Sequence, residues 1–141
     1  MGTKSINEGF VERLIRSLGS DKVAVGVDVR DGFVAVRGWQ EKTTLAWLDF
    51  IAKLAQRGVQ WIVCTDISRD GTLSGVNTDA LKELASFKGT NFIISGGVSS
   101  LEDLAKIRQY APFAWGVIVG KALYEGKISL KEANACLAKA R

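Results

Sequence analysis

Apolar residues recur at two periods along the chain, about 3.6 and about 2 residues, and the two alternate from one end to the other. Phe10, Leu14, Ile15 and Leu18 fall on one helical face and stop at Gly19, which predicts an amphipathic helix over residues 8–18. Over 23–29 the period changes to a β-branched run in which valines alternate with small residues, as in a strand of a buried parallel sheet. Asp31-Gly32 separates Val27-Asp28-Val29-Arg30 from Phe33-Val34-Ala35-Val36-Arg37 and predicts a short hairpin, a strand extension folding back over its own end. A helix is predicted over 44–56 with Thr43 or Thr44 as N-cap and Gly58 as terminator, then a strand over 61–65. Asn77 caps a helix over 78–87, and a strand follows over 91–95. Ser99 with Glu102 and Ser129 with Glu132 read as capping boxes, opening helices over 100–109 and 130–139 on either side of a strand at 116–119. Strict alternation with short connections implies right-handed crossovers and one parallel sheet of four strands, a single α/β domain over 1–141.

The 141 residues can bury a core without disulfides or a structural metal, and a 47% apolar composition with one proline excludes a disordered or linker-rich chain. No apolar run approaches the roughly 20 residues that cross a bilayer, and the N-terminus lacks a signal-peptide apolar stretch. A cytoplasmic protein without a membrane partner is the expectation. The net charge of +4 is spread along predicted helices without a basic block, so solvated helix faces account for it and no nucleic-acid partner is expected. Cys64 and Cys136 are too few and too far apart for a zinc site, and they read as reduced thiols. The chain has no histidine, which excludes Ser-His-Asp and Cys-His nucleophile pairs. Proton transfer then falls to carboxylates, cysteine, lysine or tyrosine.

In a parallel β/α sheet, functional groups belong at the carboxyl ends of the strands, where helix N-termini point and loops are free to vary. There the chain carries Asp28, then Thr65-Asp66 followed by Ser68-Arg69-Asp70-Gly71-Thr72, then Ser95-Gly96-Gly97, and finally Gly120-Lys121. Strand parity puts Ala24, Gly26 and Asp28 on one face and Val23, Val25 and Val27 on the other, so Asp28 is expected to face away from the helices. A carboxylate on that face must be solvated, hydrogen-bonded or working; capping a nearby backbone turn is the plain alternative. Thr65 has its own, a hydroxyl satisfying a local backbone group. Gly96-Gly97 and Gly120-Lys121 suit phosphate binding, because glycine lets backbone N–H groups approach an anion, although tight strand-to-helix turns need glycine anyway.

Four ordered segments then carry a resemblance. Gly26-Val27-Asp28 with Val34-Ala35-Val36-Arg37-Gly38-Trp39, Thr65 through Thr72, Ser95 through Ser100, and Gly116 through Lys127 together resemble the ProFAR isomerase family of histidine biosynthesis, a (βα)8-barrel family. Gly2-Thr3-Lys4 is similar to the phosphate loop after that family's fourth strand. A related cyclase of the same pathway shares the Asp-Gly-Thr segment and the Ser-Gly-Gly turn, but usually not the run from Gly120 to Gly126. The resemblance implies a cofactor-free Amadori rearrangement of an aminoaldose to an aminoketose, on a phosphoribosyl substrate with a phosphate at each end. It also implies catalytic roles for Asp28, as the general acid that opens the sugar ring, and for Thr65 as its assistant. Substrate contacts would come from Trp39 and Asp70, and one of two phosphate cradles from Gly96, Gly97, Gly120 and Lys121.

The departure from the family is that strands one to four, the other cradle and the strand-one aspartate have no counterpart in the sequence. Four parallel strands leave open edges and an uncovered face, which invite association. Three outcomes are expected to compete: a twofold homodimer that closes an eight-strand barrel with two Asp28 residues facing each other, completion by a complementary N-terminal half-barrel, or a noncatalytic phosphate-ligand-binding half-barrel or inactive fragment, with a flavodoxin-like open sheet as one variant. In a closed pair, two carboxylates sharing one site titrate apart, so that one serves as acid and the other as base.

Overall fold

A computed structural model describes residues 9–36 and 41–138. The elements in chain order are α1 (Phe10–Leu18), a 3-10 turn (Ser20–Lys22), β1 (Ala24–Arg30), β2 (Phe33–Val36), β3 (Glu41–Ala46), α2 (Trp47–Gln56), β4 (Trp61–Asp66), α3 (Thr78–Leu84), β5 (Asn91–Ser95), α4 (Leu101–Tyr110), β6 (Gly116–Ile118), α5 (Lys121–Tyr124) and α6 (Leu130–Ala138). They form one sheet in the order β3-β2-β1-β4-β5-β6. β1, β4, β5 and β6 run parallel, whereas β2 and β3 pair antiparallel. The sheet does not close on itself among the described residues, and this α/β architecture is that of half a (βα)8 barrel carrying an added hairpin.

The hydrophobic core lies on one side of this sheet. Val25 and Val27 of β1, Ile62 and Cys64 of β4, and Phe92 and Ile94 of β5 are buried, along with Phe50, Ile51 and Leu54 of α2, Leu81 and Leu84 of α3, and Leu104 and Ile107 of α4. Phe92 anchors the middle, meeting Phe87 and Phe113 edge-on with ring centroids 6.2 and 6.0 Å away. The valine alternation of β1 therefore has the orientation read from the sequence: Val25 and Val27 are 0% and 1% exposed, while Ala24, Gly26 and Asp28 are not buried.

Asp31 and Gly32 both adopt positive φ, 52° and 80°, and Arg30 pairs with Phe33 across them. This is the two-residue turn whose twist matches the flanking strands, and it makes the predicted fold-back. Beyond it the structure corrects the sequence reading. Residues 41–46 form β3, so 44–46, predicted as the start of a helix, are strand, and α2 starts at Trp47 after Ala46, which makes no side-chain cap. The hydroxyl of Thr43 is engaged in the hairpin, donating to the Val34 carbonyl at 2.8 Å and accepting from Leu45 N–H at 3.2 Å. Threonine serves strands as readily as N-caps, and here strand pairing wins.

The start of α4 is a second correction. The pair is Ser100 with Asp103, one residue beyond the predicted Ser99 with Glu102: Ser100 Oγ accepts Asp103 N–H at 3.3 Å, and Asp103 Oδ2 accepts Ser99 N–H at 2.9 Å. Glu102 instead meets Lys106 on the exposed face at 2.9 Å. The other box holds, with Ser129 N–H donating to Glu132 at 3.1 Å and Glu132 N–H to Ser129 Oγ at 3.2 Å. Asn77 caps α3 by accepting Ala80 N–H at 3.3 Å, although α3 ends at Leu84, three residues short of the prediction. No helix among the described residues is long and apolar enough to cross a membrane.

Candidate functional site

Parallel register aligns the carboxyl ends of the strands. Asp28 is the direct partner of Thr65, Thr65 of Ser95, and Ser95 of Ile118, so four strands contribute one row. One step toward the amino ends the row is Gly26, Val63, Ile93 and Gly116. Because side chains alternate, these rows share the face opposite the helix-packed core. Asp28, Thr65 and Ser95 are half-buried there, and Ile118 is 48% exposed.

The loop after β4 is tied to itself and to the next strand's turn. Asp66 Oδ1 accepts the backbone N–H and the hydroxyl of Ser68 at 3.1 and 2.5 Å, and its other oxygen lies 3.8 Å from Arg69 Nε. Arg69 reaches across the loop to donate to the Gly75 carbonyl at 3.1 Å, and the Thr72 hydroxyl donates to the Arg69 carbonyl at 2.6 Å. Below this loop sit Gly96 and Gly97, both at positive φ, 89° and 82°. A Cβ on Gly96 would fall 2.5 Å from the Asp66 carbonyl oxygen, and one on Gly97 2.5 Å from the Gly75 carbonyl oxygen. Only glycine permits so close an approach of two backbones.

Asp70, Gly96, Gly97, Gly120 and Lys121 line one narrow cleft with Ile118, a space of about 10 Å³. Lys121 spans it, donating from Nζ to the Gly71 carbonyl at 3.1 Å, and also meets Glu125 at 3.7 Å. Five of the residues singled out from the sequence thus come together. Thr65, Asp66, Arg69 and Ser95 also border a separate cavity of about 460 Å³, but its other walls include the core residues Cys64, Leu81, Leu84 and Ile94, so it opens on the helix side of the sheet and meets the narrow cleft only at Gly96. Asp28 lines neither; its relation to the site is the strand register beside Thr65. Trp39 and the Gly2-Thr3-Lys4 segment lie outside the described residues.

Sequence reasoning missed Asp103, the one buried charged side chain among the described residues, 3% exposed. Burial pushes its pKa up, but hydrogen bonds from the Ser99 side chain and backbone, the Val76 backbone and the Ser100 side chain outweigh that and hold it below the ordinary carboxylate value. A Ser-x-x-acid spacing fits Ser99–Glu102 and Ser100–Asp103 equally, and only the second acid is turned inward. Cys64, under the helices, has its thiol pushed up to about 12 by burial, which makes it a packing residue.

Comparison with known proteins agrees with this architecture. The profile of the histidine biosynthesis protein family matches residues 1–129. A relative from a Nitratiruptor species, named 1-(5-phosphoribosyl)-5-((5-phosphoribosylamino)methylideneamino) imidazole-4-carboxamide isomerase, is 50% identical over 111 residues, covering 79% of this chain and 46% of the relative. Relatives of the same name from Lactococcus lactis subsp. lactis and Lachnoclostridium phytofermentans are 43% and 41% identical, covering 94% and 95% of this chain and 55% and 56% of theirs. The chain spans about half the length of the curated relatives it matches. With a family profile matched over nearly its whole length and a parallel half-barrel behind it, this chain belongs to the histidine biosynthesis protein family.

Proposed function

We propose that the chain supplies one half of an aldose–ketose isomerase site for the ProFAR ribotide, and that turnover requires four further parallel strands to close the barrel. The observation that carries this reading is the adjacency of Asp28 and Thr65 at the carboxyl ends of β1 and β4, on the face away from the helices and at the same end of the sheet as the glycine-lined cleft. In the proposed chemistry Asp28 gives a proton to the ring oxygen as the C–O bond opens. A second carboxylate then takes the proton from the neighbouring carbon, and the enol-type intermediate becomes the ketose as that carboxyl returns the proton to the former aldehyde carbon and the enol hydroxyl gives its proton to Asp28, which restores both groups. Atoms and electrons balance within the substrate, so no cofactor enters. Thr65 orients the opening sugar, Asp70 and Trp39 contact the substrate, and Gly96, Gly97, Gly120 and Lys121 take one terminal phosphate, with Lys121 leaving the Gly71 carbonyl to meet it.

The second carboxylate must come from the strands that complete the barrel, and a second copy of the chain is the partner we favour. Twofold pairing sets one Asp28 against another and supplies two cradles for a substrate with two phosphates. The exposed Ile118 on the short edge strand β6, and Trp115, 59% exposed beside Trp61 at the amino end of the sheet, support an apolar contact there. A complementary half-barrel is the other partner that fits. One observation favours phosphate binding without turnover as a second reading: the glycine-lined cleft with Lys121 is built wholly from this chain, whereas the carboxylate pair is not. The test is ribotide turnover by the assembled protein and its Asp28→Asn variant. Turnover lost in the variant supports the isomerase; equal turnover in both removes Asp28 from the mechanism, and phosphate binding without turnover in any assembly selects the second reading.

A further inference from the structure

Asp103 does more than a helix cap requires. A cap satisfies the first turn of its own helix. This carboxylate accepts at Oδ2 from Ser99 N–H at 2.9 Å, the Ser99 hydroxyl at 2.6 Å and the Ser100 hydroxyl at 3.3 Å, and its other oxygen faces the Gly75-Val76 backbone of the loop that follows β4. Its Oδ1 lies 3.1 Å from where a Cβ on Gly75 would stand, so the Gly75-Val76 backbone is seated directly on the carboxylate. The Gly75 carbonyl in turn receives Arg69 Nη1 and roofs Gly97. Arg69 and Asp66 hold the near end of the same loop, and its middle carries Asp70 and Gly71 into the anion cleft. Asp103 itself lines no part of that cleft.

We infer that Asp103 is a positioning residue: it pins the end of the Ile67–Val76 loop onto the Gly96–Ser100 turn, and so sets the geometry of the phosphate cleft without touching the ligand. The consequence for affinity rests on the phosphate reading of the cleft given above; the pinning itself does not. An ionised carboxylate suits the task because all its partners are donors, whereas an asparagine at this position turns an N–H₂ group toward some of them. Charge-assisted hydrogen bonds of this kind are among the stronger ones, and the donors left behind when one is lost are only partly open to water.

The experiment uses the full chain, with inorganic phosphate as the probe, and compares Asp103→Asn with Ser100→Ala. The second variant removes the cap of α4 and leaves the Val76 contact in place. Asp103→Asn is expected to speed hydrogen exchange at the Val76 amide by roughly tenfold and to weaken phosphate binding by a similar factor, with exchange at Ile62 and Phe92 in the sheet centre unchanged. Ser100→Ala is expected to loosen the first turn of α4 while changing phosphate affinity less than about twofold. If Asp103→Asn loosens α4 but leaves both Val76 exchange and phosphate affinity as they were, Asp103 is a cap and the inference is overturned. If the unmodified protein binds no phosphate, the phosphate reading fails on its own account, and Val76 exchange still decides whether Asp103 pins the loop.

Discussion

Asp28 and Thr65 are cross-strand partners in the parallel pairing of β1 and β4, which puts a carboxylate and a hydroxyl side by side at the mouth of the half-barrel. Neighbours that act on one bond are energetically coupled. On the isomerase reading proposed above, Asp28→Asn in the assembled protein is expected to lower ribotide turnover by on the order of 10²-fold or more, and Thr65→Val by less. The double variant should fall no further than Asp28→Asn by itself. Steady-state turnover of the three variants measures this, and purely additive losses would show that the two side chains work independently.

Gly97 and Gly120 both border the narrow glycine-lined cleft but differ in what surrounds them. Gly97 has φ 82° and the Gly75 carbonyl oxygen 2.5 Å from any Cβ, whereas a Cβ on Gly120 meets nothing within 4 Å. Gly97→Ala is expected to cost about 1–2 kcal/mol from the left-handed backbone alone, with the carbonyl clash added to it. Gly120→Ala should stay within about 0.5 kcal/mol of the parent. Urea midpoints at one fixed protein concentration check the difference.

Asp103 also makes stability depend on pH in a definite direction. Its folded pKa lies below the value in the unfolded chain, so the folded state binds fewer protons in acid than the unfolded state does. The stabilisation is fully present above the unfolded carboxylate pKa of about 3.9 and is lost as pH falls through the lower, folded one. Asp103→Asn should therefore be less stable than the parent at neutral pH and approach it in strong acid. Thermal unfolding of both proteins across that range provides the check; a constant gap would mean the residue's ionisation contributes nothing.

The two cysteines should react with thiol reagents at different rates. Cys64 is buried and its thiol is pushed up to about 12, so almost no thiolate forms near neutral pH. Cys136, on α6, is partly exposed. Alkylation followed by mass spectrometry is expected to label Cys136 first, with Cys64 labelled only after unfolding.

The parts of this fold that were legible in the sequence are those governed by local rules. The valines of β1 give its two faces because side chains alternate along any strand, and Asp31-Gly32 gives the hairpin because few dipeptides accept two positive φ angles in a row. The grouping of Asp70 with Gly96, Gly97, Gly120 and Lys121 followed from placing each at a strand end. What escaped has a common cause, since residues with more than one local use are decided by distant partners. Thr43 was open to a cap or a strand and was claimed by the Val34 carbonyl; Asp103 was one of two acids at capping distance and was selected by burial against Gly75 and Val76. No spacing in the chain announces that last contact, because it joins the loop after β4 to the helix after β5.

The most direct measurement follows oligomeric mass and ribotide turnover on the same samples across a dilution series. The account predicts that turnover per chain falls as the assembly dissociates, with one midpoint for both signals, and that adding a complementary half-barrel restores it if that is the natural partner. A monomer that turns over the ribotide at every concentration would contradict the requirement for a second set of strands.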